Sequence, residues 1–348
     1  MATPHFRCAL IGCGGMSGLH AAGYNAHPSC EIVAVADIAE DKAKARAEAH
    51  APAAAIYTDY VKMLKVEKPD LVSICLWPHL HGPAVFASVR AGVQAIHCEK
   101  PMAPTWGESL KMAAACEKAG IQLTFGHQRR FLPAFRTARA LAASGVIGEL
   151  VRLEGACHNM IDWGTHWLDM MFFFNNETPA VWVLGQISAT EWREVFGLPF
   201  ETQAICEFMF ANGVRGMLYT GDDNNIGCTM RLMGTEGVIE LREGEPALWV
   251  RGKGDSKWKT PKLMGHLHGG DAVGWGVQDV VDSLIAGREP ELAARKALQA
   301  TEIIFATYES SRRRGRVDLP LKPKDSAYLS MLESGELKPK RPKSSPAS

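Results

Sequence analysis

Between residues 6 and about 151 the chain alternates short apolar runs with amphipathic segments. The runs RCALIG, EIVAVAD, LVSICL, AIHCEK and IQLTFGH are separated by helix-like stretches such as AEDKAKARAEAHA, GPAVFASVRAG and TWGESLKMAAACEKAG. Continuous apolar strands between amphipathic helices predict a parallel sheet covered on both faces, a doubly wound α/β domain. After Gly148 the rhythm changes. ELVRLEGACH, AVWVLGQISATE, TQAICEFMFA, VRGMLYTG, TMRLMGTEGVIELRE and ALWVRG are longer strand candidates, joined by turn-like Asn-Gly, Gly-Asp-Asp and Glu-Gly-Glu-Pro stretches. Hairpin connections of this kind predict a mainly antiparallel sheet. Helices are expected over residues 164–175, 270–286 and 291–313, and GRVDLPL reads as a last strand returning to either domain.

The expected division is therefore a doubly wound domain over residues 1–128, an α+β domain with a large mainly antiparallel sheet over 129–331, and a Lys-, Pro- and Ser-rich tail over 332–348 that reads as disordered. The second sheet has two faces and few helices to cover them. An uncovered apolar sheet face predicts a homodimer or homotetramer formed through it.

Composition narrows the function classes. With 47% hydrophobic residues in a chain of 348, a sizeable core and two domains are expected. Lys+Arg and Asp+Glu balance at 38 each, so no global field recruits nucleic acid or a membrane surface, and a small-molecule ligand is the default. The nine cysteines include no CxxC pair and read as thiols of a reducing compartment, the cytoplasm. No run approaches the roughly 20 apolar residues of a membrane span; WLDMMFFF is short and carries Asp169.

Three stretches carry candidate chemistry. The first strand feeds GCGGMSG, in which Gly12 and Gly14 occupy the first two glycine positions of a dinucleotide fingerprint, followed by Gly15 and Met16, with Ser17 at the third glycine position. The first glycine makes the tight turn and the second lets the backbone approach a pyrophosphate at a helix N-terminus. Asp37 ends the next strand at the distance expected of a ribose-binding acid. A carboxylate there accepts from ribose hydroxyls and repels an added phosphate, and Ile38 follows with no Arg or Lys before Lys42, so NAD is favoured over NADP. Further on, in CEKP, the residue before a proline is pushed toward the extended region, which makes Lys100 a fixed charge at a strand end. The third stretch is NMIDWGTHWLDMM, where Asp162, His166 and Asp169 share a face if a helix begins there. The structural alternative is a helix cap at Asp162 and a packing histidine. His158, Asp162 and His166 would also suit a metal, but hydride chemistry needs none, so no metal is expected.

The order of these motifs resembles the Gfo/Idh/MocA family of nicotinamide-dependent sugar and polyol oxidoreductases, which includes the inositol dehydrogenases. The similarity extends to GHQRRFLPAFRTARALAASGVIGELV and AARKALQATEIIFATYESSRRRGRVDLPL, and so covers most of the chain. It implies a Rossmann domain that binds NAD and a second domain that binds substrate and oligomerises. By position it implies Lys100, Asp162 and His166 as the catalytic residues, Glu99 beside the nicotinamide, and Lys100, His81, Trp77 and Gln128 among the cofactor contacts. Leu76-Trp77 stands where the family has Thr-Pro, and Gln128 where many relatives have Asn. The implied reaction moves hydride between NAD and a secondary alcohol of a sugar or cyclitol, with His166 as base, Asp162 orienting it and Lys100 donating to the substrate oxygen. Arg129, His158 and Trp163 join Lys100, Asp162 and His166 as expected substrate contacts, with Arg130, His266 and His268 as further candidates. Two other readings use the same fold: a lyase, epimerase or glycosidase acting through a transient keto-sugar, and a non-catalytic cofactor sensor.

Overall fold

The structure is a computed structural model that describes residues 5–262 and 267–341. His266 therefore lies outside the described residues. The first part of the chain runs β1 (Phe6–Ile11), α1 (Gly15–Asn25), β2 (Cys30–Ala36), α2 (Glu40–His50), β3 (Ala55–Tyr57), α3 (Tyr60–Glu67), β4 (Leu71–Ile74), α4 (Pro78–Ala91), β5 (Ala95–Cys98), α5 (Trp106–Ala119) and β6 (Gln122–Phe125). Its strands form one six-stranded sheet in the order β3-β2-β1-β4-β5-β6, every pair parallel. The apolar runs form strands because both sheet faces are covered: all four residues of β4 and of β5 are buried. β3 and α3 escape a periodicity reading because three and eight residues are too few to show one. The strand order reverses between β1 and β4, so the loops after β1, β4 and β5 open at the crevice where α/β sheets bind ligands.

The chain continues through α6 (Pro133–Ala143), β7 (Leu150–Cys157), α7 (Thr165–Phe174), β8 (Ala180–Ser188), β9 (Arg193–Val195), β10 (Leu198–Phe200), β11 (Gln203–Phe210), β12 (Arg215–Gly221), β13 (Met230–Gly234), β14 (Val238–Leu241), β15 (Leu248–Arg251), α8 (Asp271–Ala286), α9 (Ala294–Arg313), β16 (Val317–Asp318) and α10 (Ala327–Glu333). Eight strands pair in the order β15-β14-β13-β7-β12-β11-β8-β16, antiparallel throughout except for the parallel β7–β12 pair. The closing strand β16 thus returns to the second sheet.

The inner face of this sheet holds Phe208, Phe210, Leu218, Leu232, Ile239 and Leu248, all fully buried. Phe172 of α7 meets Phe210 edge-on at 5.2 Å. Gly185 gives α9 its close approach to β8: a Cβ there would lie 2.7 Å from Thr307, and the Gly185 N–H donates to Ser310 Oγ at 2.8 Å.

Two assignments differ from the expected division. Residues 268–298, and with them α8, belong to the first compact unit and not to the second. Val277, Val280 and Val281 of α8 enter the core of the parallel sheet, and Gly23 of α1 lies against Gly274. An amphipathic stripe states that a helix is buried on one side, not against which domain. The expected disordered tail also begins too early. The Lys340 carbonyl accepts from Trp192 N–H at 2.9 Å, and the Arg341 guanidinium lies over the Trp192 ring at 4.3 Å, so residues 332–341 are held on the second unit by backbone pairing and cation–π contact. Low-complexity composition does not register such local partners.

Candidate active site

In the first unit, β1 ends in a turn that requires glycine. Gly12 has a φ of 89°, and a Cβ there would lie 2.5 Å from the Cys75 carbonyl oxygen. Gly14 and Gly15 instead face open space where a Cβ would be. α1 opens at Gly15 with no side chain capping its first turn, and Met16 follows. Bare Cα positions and an uncapped helix N-terminus fit a pyrophosphate, which needs both close approach and backbone N–H donors. Ser17, at the third glycine position, is buried and donates to the Gly14 carbonyl at 2.6 Å, so its hydroxyl closes the loop on itself.

Asp37 accepts from Cys13 N–H at 2.8 Å on one carboxylate oxygen and from Ala39 N–H at 2.9 Å on the other. These two bonds fix the carboxylate beside the glycine loop and leave acceptor capacity for ribose hydroxyls. Ile38 is exposed next to it. Arg46 of α2 donates to the Gly14 carbonyl at 3.0 Å, a cation at this loop that the sequence reading, centred on Lys42, does not place.

Around the end of β5 the same unit holds a buried polar network. His20 Nε2 lies 2.9 Å from Glu99 Oε1, and His20 Nδ1 lies 3.0 Å from Ser73 Oγ, which in turn meets Tyr24 Oη at 2.9 Å. Burial opposes the charge on His20, but Cys75 and the Glu99 carboxylate outweigh it and raise the imidazole well above its ordinary range. Burial likewise opposes ionisation of Glu99, but the hydrogen bond and charge of His20, followed by Lys100 and His97, hold the carboxyl far below the usual range. The result is a buried ion pair. His97, its ring 4.8 Å from that of His20, is pushed down to about 3 by burial and by the His20 charge. Its Nδ1 lies 2.9 Å from Thr124 Oγ1. Lys100 follows on this footing: its N–H donates to Glu99 Oε2 at 3.2 Å, and the Lys100-Pro101 bond is cis.

Other expected residues take different places. Trp77 is more than half exposed at the start of α4. His81 is fully buried, its two ring nitrogens 3.0 Å from the Leu76 carbonyl and 3.1 Å from the Met102 carbonyl. It therefore ties the loop after β4 to the loop after β5 and presents no surface of its own. Gln128 opens a short 3-10 turn, Gln128–Phe131. Neither arginine in that turn lies on the surface. Arg130 is fully buried and pairs with Glu291 at 3.0 Å, and Arg129 is buried with a guanidinium nitrogen 3.0 Å from His268 Nδ1.

In the second unit, β7 leads into a π turn, Met160–Gly164, and only then into α7. The Gly164 N–H donates to the Asn159 carbonyl at 2.7 Å, closing the wide turn, and a Cβ on Gly164 would crowd that carbonyl at 3.0 Å. The cap is Asn159 and not Asp162: its Oδ1 accepts from Asp162 N–H at 2.7 Å and from Trp163 N–H at 3.3 Å. The Met160 N–H donates to Glu201 Oε1 at 2.7 Å, and this fully buried carboxylate also accepts from Thr220 Oγ1 at 3.2 Å and Tyr308 Oη at 2.8 Å. Burial raises Glu201 above the usual range in spite of those donors.

Asp162 thus sits in a braced turn, partly exposed, and His166 lies in the first turn of α7, mostly buried. π turns of this kind are frequent at functional sites. Asp169 is fully buried in α7, three residues after the buried His166, while Asp162 lies in the preceding π turn. His158, exposed at the end of β7, meets Trp163 edge-on at 5.0 Å, and Trp163 meets Trp167 at 5.8 Å. Among the described residues no group of three His, Cys, Asp or Glu side chains is gathered for a metal.

Sequence reasoning missed His20, His97, Arg46, Asn159 and Glu201. Asn159 alone carried a local signal, a capping side chain directly before MIDWG. The partners of His20 and of Glu201 lie tens of residues away or more in sequence, where no spacing rule reaches.

A glycine loop with room for a pyrophosphate, an acid held beside it and a lysine at the end of a parallel strand fit an NAD-binding oxidoreductase. Comparison with known families agrees and is more specific. Residues 6–127 match the Gfo/Idh/MocA oxidoreductase family's NAD-binding Rossmann fold, and residues 155–319 match its C-terminal alpha/beta domain, so the chain belongs to that family. It is 25% identical to D-apiose dehydrogenase of Paraburkholderia graminis over 96% of this chain and 95% of that protein. It is 32% identical to D-glucoside 3-dehydrogenase of Escherichia coli over 43% of this chain and 42% of that one. Among solved structures, levoglucosan dehydrogenase in complex with NADH and L-sorbose has the same fold, with a TM-score of 0.79 at 20% identity over 92% of this chain and all of that one.

Proposed function

We propose that this NAD-dependent oxidoreductase oxidises a secondary alcohol of a sugar or cyclitol, and that Lys100, Asp162 and His166 carry the reaction. The observation that carries this reading is that Lys100 and the turn bearing Asp162, directly before the helix of His166, each stand on a buried support. Lys100 follows Glu99, which is paired with His20, and the turn bearing Asp162 is held by Asn159 and Glu201. Enzymes hold charged groups this rigidly where charge develops in a transition state. The names of the relatives, an apiose dehydrogenase and a glucoside dehydrogenase, support a polyhydroxylated substrate.

NAD, when bound through Gly12, Gly14, Gly15, Met16, Asp37 and Ile38, supplies the hydride acceptor. The remaining tasks fall to the chain. His166 accepts the hydroxyl proton, because a neutral imidazole is a competent base near neutral pH. Asp162 orients that imidazole and stabilises its charged form. Lys100 donates to the substrate oxygen and stabilises its developing alkoxide character. His158 and Trp163 contact the substrate, and Arg129 serves indirectly, by fixing the turn that begins at Gln128 and the segment at His268.

The assignment is tested by Lys100→Met and His166→Ala. Each is expected to lower kcat by a factor on the order of 10² to 10³ while the Kd for NAD, read by calorimetry, stays within a few-fold. Unchanged turnover in both variants would remove the catalytic assignment and favour a cofactor sensor. Product without accumulation of NADH would favour the lyase or epimerase reading.

The outer face of the second sheet supports self-association. Leu184 and Ile205 are exposed there, and the register sets them in one surface with Met217 and Tyr219. The proposal is a homodimer or homotetramer through this face, and light scattering that returns a monomer at micromolar concentration excludes it. Nine free cysteines, several of them fully buried in the cores, support a reducing, cytoplasmic setting.

A further inference from the structure

A pocket of about 490 Å³ opens in the second unit on the side of the π turn that carries Trp163. Its walls combine one aromatic platform with hydrogen-bonding side chains: Trp163, His158, Asn224, Asn225, Arg242 and Glu243. Trp167 closes the pocket's inner end, where its indole N–H donates to the Thr229 carbonyl at 2.9 Å. The volume lies within the range of small-molecule sites. The walls are unlike those of an apolar ligand site. Two side-chain amides, each both donor and acceptor, suit hydroxyl groups, and an indole suits the apolar face of a sugar ring.

The charges narrow the ligand further. Arg242 is already engaged: its Nε donates to Glu240 at 2.8 Å, and its guanidinium stacks over Trp249 at 4.5 Å. Glu243 lines the pocket beside it. Glu240 is shared between Arg242 and Arg231, Arg231 and Arg152 pair with Glu154, and Glu243 adds a third carboxylate, so three arginines are matched by three carboxylates, no surplus positive charge remains, and a phosphate or diphosphate gains little here.

Position completes the argument. Trp163 follows Asp162 directly, and His158 directly precedes Asn159, which caps the turn that bears Asp162. Successive residues of one helical turn point to adjacent faces, so a ring held at Asp162 and a ring held on Trp163 are neighbours around the same turn. We infer that the pocket is a subsite for a second, uncharged ring. The substrate class it fits is a neutral glycoside or disaccharide, in preference to a free monosaccharide or a nucleotide-activated sugar. This rests on the reading of the protein as a sugar oxidoreductase.

The test uses the full-length protein with NAD and matched substrates: D-glucose against maltose, cellobiose and UDP-glucose, and D-galactose against lactose. At least one disaccharide is expected to exceed its monosaccharide by tenfold or more in kcat/KM, with no gain for UDP-glucose. Asn224→Trp, on the loop between β12 and β13, fills the pocket and should bring that ratio near one without lowering the melting temperature. Equal or lower kcat/KM for every disaccharide, preference for UDP-glucose, or an unchanged ratio in Asn224→Trp overturns the subsite. Oxidation of monosaccharides without such a preference leaves the functional reading standing and removes only the subsite. If no sugar yields NADH, the oxidation reading falls, and calorimetric titration of maltose and cellobiose still decides the pocket. Binding by the parent that is lost in Asn224→Trp supports it, and absence of binding overturns it.

Discussion

Glu99 at the end of β5 and Glu201 just before β11 are both buried carboxylates, each the support for a candidate catalytic residue in its own unit, and their pKa values move in opposite directions. The difference lies in the partners. Glu99 meets an imidazole that can carry a full charge, so the two groups ionise each other, while burial and the His20 charge keep His97 neutral beside them. Glu201 meets two backbone N–H groups, those of Met160 and of Glu201 itself, and two hydroxyls, donors without net charge, and desolvation prevails. Burial alone does not set the charge of a carboxylate; the formal charge of what it faces does.

The comparison can be broken most directly at Glu99. Glu99→Gln leaves His20 either charged without a counterion or forced to lose its proton, and should cost about 3–5 kcal/mol in urea unfolding at pH 7. A cost no larger than that of Glu201→Gln would end the distinction between the two sites.

Acid sharpens it next. The folded value of His97 is depressed to about 3 from 6.5, so unfolded chains bind the extra proton, and stability present above pH 6.5 is lost as the pH falls toward 3. At pH 5 the His97 contribution amounts to about 2 kcal/mol, and it is read as the difference between parent and His97→Asn in urea unfolding at pH 7.5 and pH 5, because the raised values of His20 and Glu201 act in the opposite sense over that range. Glu99, depressed from 4.5, adds a loss of the same sign below that value. His97→Asn should flatten the upper part of the slope, and a variant as acid-sensitive as the parent between pH 7 and 5 would refute the assignment.

The smallest effect belongs to Glu201→Gln. The amide oxygen can still accept from Met160 N–H, the amide nitrogen can donate to Tyr308, and the cost of a buried charge disappears, so stability at pH 7 should stay within about 1 kcal/mol of the parent. Because the folded value of Glu201 is raised, its ionisation opposes folding as the pH rises above 4.5. The variant should therefore gain on the parent between pH 5 and 8 in the same urea measurement, opposite in sign to Glu99→Gln.

Much of the fold was legible because its signals are local. The alternation of apolar runs and amphipathic segments gave the parallel sheet, the longer strands with Gly- and Asn-containing turns gave the mainly antiparallel one, and GCGGMSG followed by Asp37 gave the dinucleotide loop. These depend on period, spacing and turn chemistry, which any window of the chain carries. Sequence also singled out Lys100, Asp162 and His166 as residues worth attention.

The tertiary structure decided what those residues stand on. The helix at 271–286 joins the first unit because Gly23 and Gly274 let it approach α1, and the cap of the turn at 160–164 is Asn159 because a π turn, not an α turn, opens that segment. His20 finds Glu99 across 79 residues, and Glu201 finds Tyr308 across 107. A side chain's charge and hydrogen bonds are settled by whatever the fold brings beside it, and pairings at that separation have no period for a sequence to display.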